Sequence, residues 1–178
     1  MESFTHRIAT TGDIPAISAL MRAAIGELQR GFLSDEQIAA SRLVMGLDTQ
    51  LIADGTYLVV EAGAALAGCG GWSQRATLFG GDHTPGREPT LLDPAKDAAR
   101  IRAMYTAPGF TRRGVARLIL GLCETAASAE GFRAAEMAAT LAGEPLYLTC
   151  GYREIERFTA MGGDVPVPLI RMRKALAG

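Results

Sequence analysis

One segment of the sequence combines the residue types that can bind a phosphate. Residues 105–127 read YTAPGFTRRGVARLILGLCETAA, in which a Pro-Gly pair and two arginines precede Gly114 and an apolar-striped helix follows directly. The N-terminus of a helix presents unpaired backbone N–H groups and the positive end of the helix dipole. Gly114 and Ala116 place no large side chain in front of these groups. Arg112 and Arg113 can add positive charge at the rim, so the segment predicts a site for a phosphate or pyrophosphate group.

The spacing of this loop separates it from two other phosphate-binding motifs. No Gly-Lys-Ser/Thr follows, as a P-loop requires, and the single glycine does not complete a G-x-G-x-x-G pattern. An acidic partner for a ribose is also missing at the expected place, which argues against a Rossmann enzyme. On these residues alone, an ordinary strand-to-helix turn with solvated arginines is an equal alternative.

The composition predicts an ordinary soluble, globular protein and argues against several functional classes. Of the 178 residues, 48% are hydrophobic and 21% are charged, and a formal net charge of -1 predicts no basic surface for nucleic acid. The least charged run, residues 62–74, is too short and glycine-rich to span a bilayer, and charges near the N-terminus break up any signal-peptide core. Three cysteines without metal-type spacing favour reduced thiols in the cytoplasm, and with two histidines no metal site is expected.

The elements that position the anion-binding segment are predicted from periodicity and end signals. THRIAT predicts a short first strand, and TGDIPAISALMRAAIGEL predicts a helix with Asp13 as its N-cap. SDEQIAASRLV begins a second helix, where Ser34 and Gln37 form a capping-box pattern. TYLVVEA and ALAGCGGWSQR, joined through Gly63, predict a β-hairpin.

The second half of the chain alternates strands and helices after a long loop. Residues 76–97 contain three glycines and three prolines and predict an irregular segment, which in a compact domain is usually functional or disordered. Strands are predicted for ARIRAMYTA, FRAAEMAAT, YREIERFTA and PVPLIRMRKA, and helices for residues 114–130 and for GEPLYLTCG. The order β-α-α-β-β-β-α-β-α-β-β predicts an α/β sandwich in which helices cover a mixed sheet.

The segment MYTAPGFTRRGVARLIL closely resembles the acyl-CoA binding motif of the GNAT superfamily of N-acyltransferases. In that motif a strand ends in hydrophobic-x-Pro, and a Gln/Arg-x-x-Gly-x-Gly/Ala loop holds the CoA pyrophosphate with backbone N–H groups. Here Thr111 replaces the usual Gln or Arg, and Thr106 stands where an aliphatic residue is commoner. The resemblance implies acetyl-CoA as co-substrate, bound by Met104, Tyr105, Thr106, Thr111, Arg112, Arg113, Gly114, Val115, Ala116 and Thr140.

A second segment, at the right distance downstream, strengthens the resemblance. PLYLTCGY is similar to the family's Leu-Tyr-x-x-x-Gly-Phe segment, and Thr140 occupies the position where the family often has Asn. The order of elements also agrees over nearly the whole chain. The resemblance therefore implies a single GNAT acyltransferase domain over residues 1–178. Its fold would be α/β, with a mixed, mostly antiparallel sheet of about seven strands flanked by about four helices.

The resemblance also implies how the chemistry would proceed. Pantetheine would lie between the fourth and fifth strands, and backbone N–H groups of residues 104–106 would polarise the thioester carbonyl. Tyr147 stands at the family's general-acid position for the departing thiolate, whereas without the motif it would be a packing tyrosine of an amphipathic helix. The implied function is transfer of an acetyl group from acetyl-CoA to a primary amine of a small molecule or peptide by direct attack.

The sequence does not identify the base that accepts the amine proton. Glu136, Glu61, Asp82 and His83 are candidates, but each residue type is more often a solvated or salt-bridged surface group, and water could serve instead. Cys150 has no base beside it in the sequence, so an inert buried thiol is expected rather than a covalent nucleophile.

The acceptor and the partners are the least determined features. The first two helices, the loop between the third and fourth strands and the last hairpin would shape the acceptor pocket, and their mixed charges indicate neither a polyamine nor an aminoglycoside pocket. Trp72 and Met104 could line that pocket, although a core position is the safer interpretation. A non-catalytic acyl-CoA sensor with the same fold is the alternative to an enzyme. A homodimer is possible but not required, and no nucleic-acid or membrane partner is expected.

Overall fold

Seven strands form one mixed sheet in the computed structural model, which describes residues 3–177. The strands are β1 (Thr5–Ile8), β2 (Tyr57–Ala62), β3 (Ala65–Ser73), β4 (Ala99–Thr106), β5 (Ala134–Ala139), β6 (Arg153–Gly162) and β7 (Val165–Ala175). Their spatial order is β1-β2-β3-β4-β5-β7-β6, and every neighbouring pair is antiparallel except β4 with β5. The predicted mixed, mostly antiparallel sheet is confirmed.

Five α-helices flank the sheet within residues 3–177, one more than the sequence patterns predicted. They are α1 (Ile14–Leu28), α2 (Asp35–Val44), α3 (Thr49–Ala53), α4 (Val115–Ala129) and α5 (Glu144–Thr149). The additional helix, α3, is too short to show a hydrophobic period, and Asp48 starts it by accepting the Gln50 N–H at 3.0 Å. No helix of the described residues has the length and apolar character needed to cross a membrane.

The two predicted helix caps have different outcomes. The capping box is confirmed, because the Gln37 N–H donates to Ser34 Oγ and the Ser34 N–H donates to Gln37 Oε1, both at 3.1 Å. Asp13 is the N-cap residue of α1 as predicted, but its side chain makes no hydrogen bond to the helix. A turn of 3-10 helix precedes α1, and the Asp13 carboxylate points backwards to accept the Thr10 N–H at 2.7 Å and two Arg7 nitrogens at 2.8 Å.

The helices α1 and α4 pack on opposite faces of the sheet. The neighbouring β2 residues Val59 and Val60 belong to the α1 cluster and the α4 cluster, respectively, as alternation along a strand requires. On the α4 side, the glycine at Gly68 lets the helix approach closely, since a Cβ there would lie 2.5 Å from Val115 Cγ1. Trp72 lies in this core, which agrees with the safer interpretation of the sequence.

The long connection between β3 and β4 is irregular, as predicted. Residues 76–97 contain no helix or strand, and an isolated bridge joins Arg75 to Leu91. Arg75 is fixed by Asp54, whose carboxylate accepts Nε at 2.7 Å and Nη2 at 2.8 Å. The connection is therefore tied to the end of α3, and it passes over the sheet beside the candidate site.

Candidate active site

The fourth and fifth strands separate soon after they begin to pair. Pairing is limited to Ala99 with Ala135 and Arg100 with Glu136, whereas both strands continue for several more residues. Beyond this point the two strands have free facing edges and a gap opens in the middle of the sheet. The gap lies between the two strands for which the family resemblance implies it.

A β-bulge shapes the edge of β4 that borders this gap. The register with β3 shifts between Cys69 and Gly71, and Ala103 adopts a left-handed φ of 49°. The fully buried Tyr57 donates its hydroxyl hydrogen to the Ala103 carbonyl at 2.7 Å. This hydrogen bond compensates for a conformation that is unfavourable for a residue with a side chain.

Backbone donors of β4 face the gap beyond the bulge. The Ala107 N–H donates to the Ala67 carbonyl on β3 at 2.9 Å. Because successive N–H groups of a strand point to opposite edges, those of Thr106 and Met104 point away from β3 and towards the gap. These two groups lie where the predicted polarisation of a thioester needs donors, and that role stays a prediction.

The N-terminus of α4 leaves further donors open. Gly114 is its N-cap, with a φ of 87° that favours glycine. The first bond into the helix runs from the Leu118 N–H to the Gly114 carbonyl at 2.9 Å. No group of residues 3–177 accepts a hydrogen bond from the N–H of Val115, Ala116 or Arg117. Three donors at the positive end of a helix dipole make this terminus suitable for a phosphate.

A cleft of about 830 Å³ joins the strand gap to the start of α4, within the range of ligand sites. Nine of the ten predicted CoA-binding residues line it: Met104, Tyr105, Thr106, Thr111, Arg112, Gly114, Val115, Ala116 and Thr140. The sequence analysis missed several other lining residues, among them Phe110, Arg117 and Thr149. Arg117 donates to Thr149 Oγ1 at 3.2 Å, and its position in the first turn of a predicted anion-binding helix was a usable signal.

The side chains of the loop before α4 have different surroundings. Arg113 does not line the cleft, because its guanidinium carbon lies 5.3 Å from the centroid of the Phe110 ring. Arg112 lines the cleft and has a left-handed φ of 60°. The Thr111 hydroxyl donates to the Pro108 carbonyl at 3.3 Å and so stabilises the loop itself. The geometry therefore favours Arg112 over Arg113 as the side chain that reaches a ligand in the cleft.

Tyr147 lies in the wall of the cleft on α5. Its ring contacts Tyr152 edge-on with centroids 6.1 Å apart, and Gly143 provides the space, since a Cβ there would lie 2.9 Å from Tyr147 Cε2. Burial raises the pKa of Tyr147 to about 12. Within residues 3–177 its hydroxyl has no hydrogen-bond partner, so the hydroxyl is available to a molecule in the cleft.

The base candidates do not line the cleft, and neither does any other Asp, Glu or His of residues 3–177. Glu61 forms an ion pair with Arg7 of the edge strand β1, with 3.0 Å between Oε1 and Nη2. Asp82 accepts the Thr49 N–H at 3.0 Å and the Thr49 hydroxyl at 2.9 Å. The His83 ring nitrogen Nε2 lies 2.9 Å from the Arg42 carbonyl oxygen. These side chains stabilise loops and the sheet edge, and none is placed to take a proton from a molecule in the cleft.

Glu136 sits at the base of the gap and is surrounded by three arginines. Its carboxylate accepts from Arg100 at 2.9 Å, from Arg171 at 2.6 Å and from Arg173 at 2.8 Å. Burial alone would raise the pKa of Glu136, but the hydrogen bonds from Arg171 and Arg173 outweigh burial and lower it. Glu136 therefore joins β4, β5 and β7 as a structural group, and its lowered pKa makes it a poor proton acceptor.

The three thiols do not form a nucleophilic site. Cys69 and Cys123 are fully buried, and burial raises the pKa of each to about 12. Cys150 is half-buried and does not line the cleft. The described residues also contain no group of three or more His, Cys, Asp or Glu side chains that could hold a metal ion.

The remainder of the cleft, here named the distal half, extends from the bulge towards α1 and the long connection. Its walls include Leu28, Phe32, Met45, Phe79, Arg102 and Leu169. They come from the regions that the sequence analysis named for the acceptor: the two N-terminal helices and the segments after them, the loop before β4 and the last hairpin. The individual residues could not be predicted, because they meet only through the fold.

The profile of the acetyltransferase (GNAT) family matches residues 19–152. The chain belongs to this family. The match includes the strand, loop and helix around Gly114 as well as the segment that contains Tyr147. The resemblance of these two segments to GNAT motifs is thereby confirmed. No curated protein matches the sequence.

Solved GNAT structures share the whole fold of the chain. A GCN5-related N-acetyltransferase from Rhodopseudomonas palustris has a TM-score of 0.74 at 19% identity, with 99% of this chain and 98% of that chain covered. The PaiA N-acetyltransferase of Thermoplasma acidophilum, solved with coenzyme A, has a TM-score of 0.66 at 13% identity, with 97% and 99% covered. The ribosomal-protein-S18-alanine N-acetyltransferase of Escherichia coli has a TM-score of 0.59 at 14% identity, with 99% and 96% covered.

Proposed function

We propose that the protein is an N-acetyltransferase that moves the acetyl group of acetyl-CoA to a primary amine of a small molecule or peptide by direct attack. Residues 1–178 would form one catalytic domain. The observation that carries the proposal is the continuity of three features in one cleft: open N–H donors at α4, the strand gap and the Tyr147 hydroxyl. Two GNAT relatives support it in general terms, one solved with coenzyme A and one named for acetylating an alanine of a ribosomal protein.

The cleft is suited to two chemically distinct parts of CoA, the pyrophosphate and the pantetheine. The N–H groups of Val115, Ala116 and Arg117 would bind the pyrophosphate, and the guanidinium of Arg112 would neutralise part of its charge. The extended pantetheine would take the place of a missing strand neighbour along the free edge of β4. A phosphate at one end and an extended chain at the other would bring the thioester to the bulge.

The chemistry would then follow from the groups around the bulge. A neutral amine attacks the thioester carbonyl carbon, and the oxygen gains negative charge that the N–H groups of Met104 and Thr106 stabilise. Collapse of the adduct breaks the C–S bond, and the Tyr147 hydroxyl donates its proton to the departing sulfur. The nitrogen releases its surplus proton to solvent, and Tyr147 is reprotonated from solvent, so the products are an amide and CoA thiol.

Among residues 3–177, no Asp, Glu or His side chain lines the cleft. The absence of such a base favours one specific alternative, a non-catalytic sensor that binds acyl-CoA. An enzyme with this cleft must receive its amine already deprotonated, or pass the proton to water. Both readings require acetyl-CoA binding, and only the enzyme produces CoA thiol in an amine-dependent manner.

The test is a measurement of thiol release from acetyl-CoA with and without a panel of primary amines, together with the mass of the products. The proposal predicts amine-dependent release and a mass gain of one acetyl group on the amine. Tight acetyl-CoA binding without release for any amine would refute catalysis and establish the sensor. Failure to bind acetyl-CoA would refute both.

A further inference from the structure

The walls of the distal half of the cleft are almost entirely apolar. Leu28, Phe32, Met45, Phe79 and Leu169 converge from four separate parts of the chain. Phe32 lines the cleft and is half-exposed at 50%. An apolar surface that reaches the solvent in this way is suited to binding an apolar molecule.

Within residues 3–177, the one charged side chain of the distal half is Arg102, and it is paired with a carboxylate that also accepts from Arg87. Arg102 has a side-chain exposure of 2%, and its Nη2 donates to Asp48 Oδ2 at 3.1 Å and to the Gly80 carbonyl at 2.7 Å. Burial lowers the pKa of Arg102, although the charge of Asp48 acts in the opposite direction. A carboxylate on a ligand would have to compete with Asp48 for this guanidinium.

Two uncharged polar side chains of residues 3–177 also line this region. Gln29 is buried, and its Nε2 donates to the Ile25 carbonyl at 3.4 Å. Tyr105 packs against the core on the α1 side, and burial raises the pKa of its hydroxyl well above the ordinary value. The distal half therefore offers shape and apolar contact to a ligand but few free polar partners.

A charged group on a ligand, besides its reacting amine, would be unfavourable here whether it is positive or negative. An ammonium would meet no acidic side chain of residues 3–177 in the cleft, and the buried Arg102 would repel it. A carboxylate would leave water for a guanidinium that Asp48 already occupies. The apolar walls also favour the neutral form of an amine, which is the form that attacks a thioester.

We infer that the acceptor is a monoamine on an uncharged, apolar body, aliphatic or aromatic, held in the distal half of the cleft. The inference rests on the proposed acetyltransferase function and narrows it. The apolar body can belong to a free amine or to the first residue of a peptide, and both share the chemistry that these walls recognise.

Matched substrates test the inference, with kcat/KM for thiol release as the readout. Pentylamine is compared with cadaverine, which adds an ammonium, and phenethylamine with phenylalanine, which adds a carboxylate. We expect the uncharged member of each pair to be favoured by about 10-fold or more, because burial of an unpaired charge is costly. Phenylalaninamide, a model of a peptide N-terminus, separates the two sources when kcat/KM is expressed per neutral amine, because its amine is less basic than that of phenethylamine. A corrected value above that of phenethylamine indicates a peptide, and the reverse a free amine.

A substitution at the mouth of the distal half provides a matched control. Phe32→Asp supplies the missing acidic partner on an exposed position, so it should raise the ratio of kcat/KM for cadaverine over pentylamine by about 10-fold. Leu43→Asp introduces the same charge at a residue that is equally exposed at 52% and does not line the cleft, and it should leave the ratio unchanged.

The outcomes separate this inference from the proposed function. A preference of the wild type for cadaverine or phenylalanine would overturn the apolar acceptor and leave the acetyltransferase intact. Equal effects of Phe32→Asp and Leu43→Asp on the ratio would also overturn it, because the distal half would then not contact the acceptor. Binding of acetyl-CoA without transfer to any of the five amines would overturn the proposed function and this inference together.

Discussion

Replacing Tyr147 with phenylalanine removes one oxygen atom from the cleft and little else. The edge-on contact with Tyr152 and the space provided by Gly143 are retained, because both involve the ring. The hydroxyl has no hydrogen-bond partner among residues 3–177, so its loss breaks no described bond. We therefore expect Tyr147→Phe to fold normally, with a melting temperature close to that of the wild type.

The energy of the proton transfer from Tyr147 depends on the proton affinities of the tyrosine and the thiolate. In water, proton transfer from tyrosine (pKa about 10) to a thiolate (about 8.5) is uphill by about 2 kcal/mol. In the protein, burial raises the pKa of Tyr147 to about 12, which alone would make the transfer harder. A CoA thiolate enclosed by the cleft would also lose hydration, which raises its pKa and offsets part of this cost.

A general acid in this position contributes about 10²- to 10⁴-fold to turnover, so Tyr147→Phe should lower kcat by that factor. The assay is thiol release at saturating acetyl-CoA and amine, with calorimetry to show that the affinity for acetyl-CoA changes by less than about 2-fold. Because its pKa is raised, wild-type Tyr147 stays protonated, and no alkaline loss of kcat is expected below pH of about 10. A variant that retains the wild-type kcat would refute the role of Tyr147.

Three other predictions concern stability, the bulge and pH. Glu136→Gln should lower the free energy of unfolding by about 3 kcal/mol at neutral pH, because the ion pairs with Arg171 and Arg173 are lost. Because the folded-state pKa of Glu136 is lowered, its contribution to the free energy of unfolding is present above the unfolded-state pKa of about 4.3. This contribution is lost as the pH falls through the folded-state pKa. Denaturation at several pH values measures the loss. Tyr57→Phe should lower kcat more than it raises the KM for acetyl-CoA, because the Ala103 carbonyl loses the hydrogen bond that fixes the bulge. The kcat/KM for an amine should rise with pH up to the pKa of that free amine, because no carboxylate or histidine of residues 3–177 lines the cleft to deprotonate it.

Each of these predictions has an outcome that contradicts it. Equal stability of wild type and Glu136→Gln at neutral pH would show that the arginine cluster contributes nothing. An unchanged kcat in Tyr57→Phe would show that the bulge does not depend on that hydroxyl. A pH profile that keeps one inflection for amines of different pKa would reveal a base on the enzyme.

The features that the sequence predicted correctly are encoded locally. The loop before α4 and the helix that follows it occupy consecutive residues, and Gly114 takes the left-handed N-cap conformation that a glycine permits. The capping box of Ser34 and Gln37 spans four residues and forms as its pattern predicts. Asp13 takes the predicted N-cap position of α1, but Arg7 and Thr10 engage its carboxylate, so the side chain does not bond the helix.

The features that the sequence did not predict depend on residues that meet only in the folded chain. Glu136 was a base candidate because it is an acidic residue in an apolar strand, yet its three arginines come from β4 and β7. The walls of the distal half come from five separate segments, so no pattern along the chain could assemble them. The position of the Arg113 side chain could not be predicted either, although Arg113 and Phe110 lie in one loop. The pattern of residues does not show that the Arg113 side chain points towards the Phe110 ring.

The proposed function depends on acetyl-CoA binding at the start of α4, and calorimetric titration of acetyl-CoA measures this binding. Gly114→Glu adds a negative charge to the proposed pyrophosphate site, where a Cβ would meet nothing within 4 Å. Gly63→Glu is the matched control, because Gly63 also has a positive φ and open surroundings but lies in the turn between β2 and β3. We expect wild-type affinity for Gly63→Glu and a loss of about 10-fold or more for Gly114→Glu. Equal affinities for the two variants, or no binding to the wild type, would contradict this expectation.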